Sequence, residues 1–240
     1  MNTPDDPKPV TQVGQRAQAA GHHLHSCRIG LLPIVNRIIE RLRLQEAFRA
    51  YLPRADRRCR IDPATGLLVL LKNLLLSREP LYGVGEWAAR HAPDLLGLSE
   101  PQLAALNDDR IGRCLDRLFQ NDCGSLALTV VTHAVREFGV DLDQLHNDST
   151  TITFHGEYKD ATQEEKRKDQ TRLAITWGYN KDHRPDLKQL LFILTISQDG
   201  GVPVYFQAKS GNTVDDQTHR ATWDLLCTLA QRRDFLYVAD

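Results

Sequence analysis

Asp148 sits in the stretch HNDSTTITF, and Asp240 closes the run FLYVAD. Both sequences have the pattern of strands, and an acid at or near the end of such a strand can hold a hard cation through its oxygens. If the two strands are neighbours in one sheet, both carboxylates face the same point beyond its edge. Paired acids of this kind bridge two divalent ions roughly 3.5–4 Å apart, which stabilise the attacking and leaving oxygens of phosphodiester cleavage. Taken singly, an Asp in such a position also serves as a turn former or a helix N-cap. The order of elements between the two favours a shared site. His146, two positions before Asp148, either touches the metal or its water or simply lies on the strand surface.

Cations are grouped as well. LPRADRRCRID puts Arg54, Arg57, Arg58 and Arg60 within seven positions, and Arg110, Arg113 and Arg117 recur at helical spacing. Such rows either dock on phosphates, making binding salt-sensitive, or form solvated faces. GYNKDHRPDLKQL carries Lys181, His183, Arg184 and Lys188 beside Asp182 and Asp186, a mixture that suits phosphate contacts close to the acids or a solvated connection. The whole chain has a formal net charge of −1, yet Arg28 to Arg90 holds twelve Arg or Lys against six Asp or Glu. That asymmetry predicts a polyanion-facing first half and an acidic second half.

These groups must be positioned by two kinds of element. Residues 1–27 read as a polar, disordered leader with Pro4, Pro7 and Pro9; its His22, His23 and His25 lack acids or cysteines in ligand spacing. Residues 28–139 carry helical periodicity. LLPIVNRIIERLRLQEAFRAYL sets Ile34, Ile38, Leu42 and Phe48 on one face, and PATGLLVLLKNLLLS follows Asp62, a candidate N-cap, as is Thr65. LNDDRIGRCLDRLFQ offers a stripe of Ile111, Leu115, Leu118 and Phe119, and SLALTVVTHAVREFG ends on a C-capping Gly139. Trp87 and Tyr82 are expected as packing residues. Residues 140–240 change to strand patterns: DLDQLHNDSTTITFHGEY, RLAITWGY, and QLLFILTISQ joined through DGG to VPVYFQAK. A helix, DDQTHRATWDLLCTLAQRR, then leads into FLYVAD. The fold class is α+β.

With 41% hydrophobic and 25% charged residues, the composition is that of an ordinary globular protein. Five cysteines without CxxC spacing argue against a zinc ribbon or a disulfide framework and fit a reducing compartment. The polar start is not a signal peptide, and the longest apolar run, GLLVLLKNLLL, is too short to span a bilayer. A cytoplasmic protein without membrane partners is expected.

Four segments in order resemble the DDE transposases of bacterial insertion sequences. They are NDSTTITFHGEY, GYNKDHRPDLKQL, GNTVDD and FLYVAD, together with EPLYGVGEWAARHAPDLLGL in the helical half. The resemblance runs from about Ile29 to Asp240. It implies a helical N-terminal domain over 28–139 and an incomplete RNase H-like catalytic core over 140–240. Asp148 and Asp240 are the implied catalytic and metal-holding acids, with Mg²⁺ or Mn²⁺ as cofactor and a two-metal site expected only in the full-length protein. Arg54, Arg57, Arg58, Arg60, Lys181, Arg184 and Lys188 are the expected DNA contacts. Asn212 and Asp215 of GNTVDD either orient the loop below the site or cap the next helix. The implied partners are the element's inverted-repeat ends, target DNA and a second copy in a synaptic dimer. The family's third acid, a Glu in a Y-x-x-R-x-x-x-E motif, has no counterpart after Asp240, so the chain is expected to be the front portion of a longer transposase. Two other functions stay open: an inert remnant that only binds DNA or dimerises, and a metal-dependent hydrolase of another substrate on the same fold.

Overall fold

The helical half is organised by α3 (Pro63–Leu76). In the computed structural model, which describes residues 26–52, 59–167, 170–179, 184–213 and 219–239, the Asp62 side chain accepts from the Thr65 amide at 3.4 Å. Pro63 occupies the first turn, where its missing N–H has no intrahelical partner to lose. α3 is apolar nearly all round and is correspondingly buried on most sides. Around it lie α1 (Leu32–Arg41), α2 (Leu44–Tyr51), α4 (Val84–Ala89), α5 (Pro93–Leu96), α6 (Glu100–Ala104) and α7 (Asp108–Phe119). Leu32, Val69, Trp87, Leu96 and Ile111 form the main core. Leu52, Leu67 and Cys114 fill a second patch where α2 and α7 meet α3.

Three expectations for this half are corrected. The apolar face drawn through Ile34, Ile38, Leu42 and Phe48 assumes one helix, but α1 ends at Arg41 and Arg43 adopts a left-handed φ of 50°. Within α1 itself the inward face runs through Leu32, Val35, Asn36 and Ile39, so Ile34 and Ile38 are 60% and 48% exposed while Leu32 and Ile39 are buried. In α7 the inward residues are Ile111 and Cys114, and Leu115 is exposed. Trp87 is a core residue whose indole N–H donates to Ser77 Oγ at 2.9 Å, whereas Tyr82 is 81% exposed.

α8 (Cys123–Phe138) joins the two halves. Asp122 caps its start through the Ser125 amide, and Gly139 ends it in the left-handed conformation. Toward the helices, the Tyr51 and Thr129 hydroxyls meet at 2.7 Å, and the Arg41 guanidinium donates to Glu137 at 2.9 Å. Toward the sheet, Val131 and Val135 pack into its core. One helix therefore contributes to both cores.

The second half is a mixed sheet built from β1 (Gln144–Phe154), β4 (Lys188–Ser197), β5 (Pro203–Ser210) and β6 (Leu236–Ala239), with α9 (His219–Ala230) before β6. Its order is β5-β4-β1-β6: β1 and β4 are antiparallel, as are β4 and β5, and β6 runs parallel to β1. β2 (Glu165–Arg167) and β3 (Gln170–Arg172) form a separate small hairpin. Of the strand expected over RLAITWGY only Arg172 is in a strand, at the end of β3; beyond it the described ladder contact with the large sheet is a bridge between Thr176 and Gln189. The DGG turn behaves as expected, with Gly200 and Gly201 at φ 72° and 62°, values that suit a tight hairpin. Among the described residues no helix is long and apolar enough to cross a membrane.

Strict alternation gives the sheet two faces. Leu145, Asn147 and Ser149 of β1 and Leu191, Ile193 and Thr195 of β4 are buried. Leu145 belongs to the core that α8 and α9 share with the sheet. The opposite face carries His146, Asp148, Phe192, Leu194 and Val238 and is far more open.

Candidate active site on the open face of the sheet

Asp148 lies near the middle of β1, the strand flanked by β4 on one side and β6 on the other. Its register partner in β4 is Leu194, and the parallel ladder pairs His146 with Val238 and Asn147 with Ala239. Alternation turns Asp148 to the open face, and the Ser149 amide donates to its Oδ1 at 2.7 Å. The carboxylate lines a groove of about 690 Å³ whose walls are apolar, with Phe192, Leu194, Ile196 and Val238 among them. His146 lines the same groove, and its Nε2 lies 2.9 Å from the Gln144 side-chain nitrogen. Beneath it, on the covered face, the Thr195 hydroxyl donates to Asn147 Oδ1 at 2.8 Å and ties β4 to β1 under the groove.

Asp240 lies outside the described residues, so the second half of the expected acid pair has no geometry here. The described register ends at Asn147 and Ala239, one position before each acid in its own chain segment. The donor that is described, a carboxylate oxygen in an open groove, is the ligand type that Mg²⁺ and Mn²⁺ take. Among the described residues no three or more His, Cys, Asp or Glu side chains come together in a metal-sized group.

The segment GYNKDHRPDLKQL takes up a different place from the one expected. Lys181 lies outside the described residues. Arg184 forms a two-pronged ion pair with Asp186, at 2.8 and 2.6 Å, which raises the Arg184 pKa and holds the Asp186 carboxyl down at about 2. Lys188 is buried: its amine donates to the Glu157 carbonyl, lies 3.5 Å from the Tyr158 carbonyl and stands 4.9 Å above the Trp177 ring. Lys188 pairs with Phe154, six residues along β1 from Asp148. At about 3.3 Å per residue the two are roughly 20 Å apart, so Lys188 is not close to the acid.

Two residues absent from the sequence expectations stand out at this end of the sheet. Trp177 and Tyr179 are 55% and 84% exposed on either side of Gly178. The only advance signal was two aromatics bracketing a glycine in TWGY. Gln189 holds this strip in place, its amide donating to the Tyr179 and Gly211 carbonyls at 3.0 and 2.9 Å. The GY and GN segments of the sequence are thus one packed unit. Of GNTVDD, Asn212 is described and exposed, and Asp215 lies outside the described residues.

In the helical half, Arg60 is exposed, with its backbone carbonyl accepting from Gln102 at 3.2 Å. Arg54, Arg57 and Arg58 lie outside the described residues.

A family model described as a domain of unknown function (DUF4277) matches residues 24–132. That span covers α1 to α7 and most of α8, and it stops before β1 and Asp148. Among curated proteins and solved structures nothing matches the chain.

Proposed function

We propose that this chain carries part of a metal-dependent DNA strand transferase, a transposase of a bacterial insertion sequence. The observation that supports this most is the position of Asp148: an acid on a central strand, in an apolar-walled groove, beside the parallel β6 that runs toward Asp240. The order of strand, strand, strand, helix, strand in the large sheet matches what the resemblance to DDE transposases implies for an RNase H-like core. Asp148 and Asp240 are the residues that would hold Mg²⁺ or Mn²⁺. When bound, such an ion supplies charge stabilisation to the oxygens of a phosphodiester. The chain's own part is positional. The β1–β4 ladder fixes the backbone of Asp148, and the Ser149 amide orients its carboxylate.

The substrate on this reading is duplex DNA at the ends of the element, with Arg54, Arg57, Arg58 and Arg60 as backbone contacts from the helical half. Arg184 is a further contact once Asp186 releases it. The roughly 20 Å from Asp148 to the Trp177 end of β1 matches about six base pairs at 3.4 Å rise, so one duplex laid along the strand reaches both. A second copy in a synaptic assembly is the expected protein partner.

A DNA-binding or dimerising module without chemistry is the second reading, favoured by the helical half's own hydrophobic core. Mn²⁺ binding to the full chain and to Asp148→Asn separates the two. The exchange is isosteric and keeps an acceptor for the Ser149 amide. The enzyme reading expects Mn²⁺ affinity to fall at least tenfold in the variant while duplex binding without metal is unchanged. Equal Mn²⁺ binding by both proteins overturns it.

A further inference from the structure

On α7, Arg110, Arg113 and Arg117 follow a spacing of three and four residues, which brings them onto one side of the helix beside the buried Ile111 and Cys114. With Arg60, which lies just before α3, they line a cavity of about 70 Å³ whose floor includes Cys59 and Cys114. Four guanidinium groups therefore border one small concavity. Among the described residues none of the four is within ion-pair distance of a carboxylate. Of the acids nearby, Asp62 is engaged by the Thr65 amide and faces Arg49 at 3.9 Å, and Asp109 and Asp116 lie on α7 itself. Arg117 donates to Cys59 Sγ at 3.1 Å, a weak acceptor for a strong donor. Arg110 Nε is buried and has no hydrogen-bond partner.

Gathered like charges with a buried unsatisfied donor are unfavourable unless something anionic completes them. The guanidinium fork matches phosphate oxygens two at a time, and several forks around one point suit a tetrahedral oxyanion better than a planar carboxylate. The cavity has room for more than one water, so a small oxyanion is not excluded by size. We infer that this pocket between α7 and the segment before α3 is a binding site for a single phosphate group. Backbone phosphate of DNA and free inorganic phosphate share that chemistry. The DNA source rests on the reading proposed above; the pocket itself does not.

The test uses the full 240-residue chain with inorganic phosphate and a random-sequence duplex as probes. Arg60→Gln with Arg113→Gln is the pocket variant, both positions being exposed, and Arg113→Glu alone is a second. Arg136→Gln removes one exposed charge on α8 as a control. Phosphate is expected to bind wild type and R136Q saturably, raising Tm beyond the effect of chloride at equal ionic strength. Binding to either pocket variant should be at least tenfold weaker. Equal binding by wild type and both pocket variants overturns the inference, as does a wild-type response no larger than that to chloride. If phosphate displaces duplex and the pocket variants lose more duplex affinity than R136Q, the source is the DNA backbone. If duplex affinity falls equally in pocket and control variants while phosphate still needs the pocket, the ligand is the free anion. A chain that takes phosphate here but no duplex at low salt sinks the DNA reading and leaves the pocket standing.

Discussion

Gly178 and Gly211 lie backbone against backbone. A Cβ added to Gly178 would stand 1.8 Å from the Gly211 carbonyl oxygen, and one added to Gly211 would stand 2.1 Å from the Gln189 carbonyl oxygen. The obstacle in each case is main chain, which has little freedom to move aside. Gly178→Ala and Gly211→Ala should each destabilise the protein by about 3 kcal/mol, the upper range for overpacking. Gly112 in α7 is the contrast, because nothing lies within 4 Å of a Cβ there. Gly112→Ala should stabilise by roughly 0.5–1 kcal/mol through helix propensity alone. Urea midpoints for the three variants check both signs.

The resemblance placed these two glycines in separate motifs, and their contact was not legible because it depends on how a loop folds over β4. What could be read in the chain was local. Asp62 and Pro63 announce the start of α3, Gly139 the end of α8, and Gly200–Gly201 the β4–β5 turn, each because one residue's backbone preference decides the outcome. Alternation also put Asp148 and the buried Asn147 on opposite faces of β1. The misplaced residues are those settled by distant partners. Ile34 and Ile38 depend on which side of α1 the other helices cover. Lys188 reads in the sequence as a phosphate contact or part of a solvated connection, but two separate segments supply the Glu157 carbonyl and the Trp177 ring that hold it inside.

The Arg184–Asp186 pair gives a pH prediction. Hydrogen bonding to Arg184 lowers the Asp186 pKa from 3.8 to about 2. A carboxyl depressed in the fold contributes stability that is present above its ordinary value and lost as pH falls toward the folded one. The difference in stability between wild type and Asp186→Asn should therefore be constant above about pH 5 and shrink between about pH 4 and 2. Both ends of the pair are exposed, so the difference should be small and fall with salt. Asp186→Asn also frees Arg184, and duplex affinity at low salt should rise. A drop in affinity would show that Arg184 meets no phosphate.

Lys72 gives a slope of the same sign in an alkaline window. It is buried on α3, its amine donates to the Leu95 carbonyl at 2.9 Å, and desolvation lowers its pKa from 10.5 to about 8. Between those values the unfolded chain holds a proton that the folded one has released, so stability should rise with pH from about 8 to 10.5. Lys72→Met removes the titrating group and should flatten that rise. Parallel urea melts of both proteins across the window decide it, and an unchanged slope in the variant would assign the effect to another group.

The open face of the sheet should be detectable in solution. Phe206, Ile152 and Leu236 are 51%, 44% and 56% exposed, and Phe192 stacks on Phe206 at 6.2 Å between ring centres. Together with the groove walls they form a contiguous apolar surface around Asp148, of the kind that binds hydrophobic dyes and invites association. Phe206→Ser removes the most exposed ring from β5 at a position that makes little core contact. It should reduce dye fluorescence several-fold and improve solubility, while changing stability by less than about 1 kcal/mol. Val204→Ser on the same strand tests that the effect belongs to this face. Val204 points into the core shared with α8 and α9, so its exchange should cost about 2 kcal/mol or more through the cavity and the buried hydroxyl. It should raise dye binding rather than lower it. Equal dye binding by wild type and Phe206→Ser would mean that this face is covered in solution.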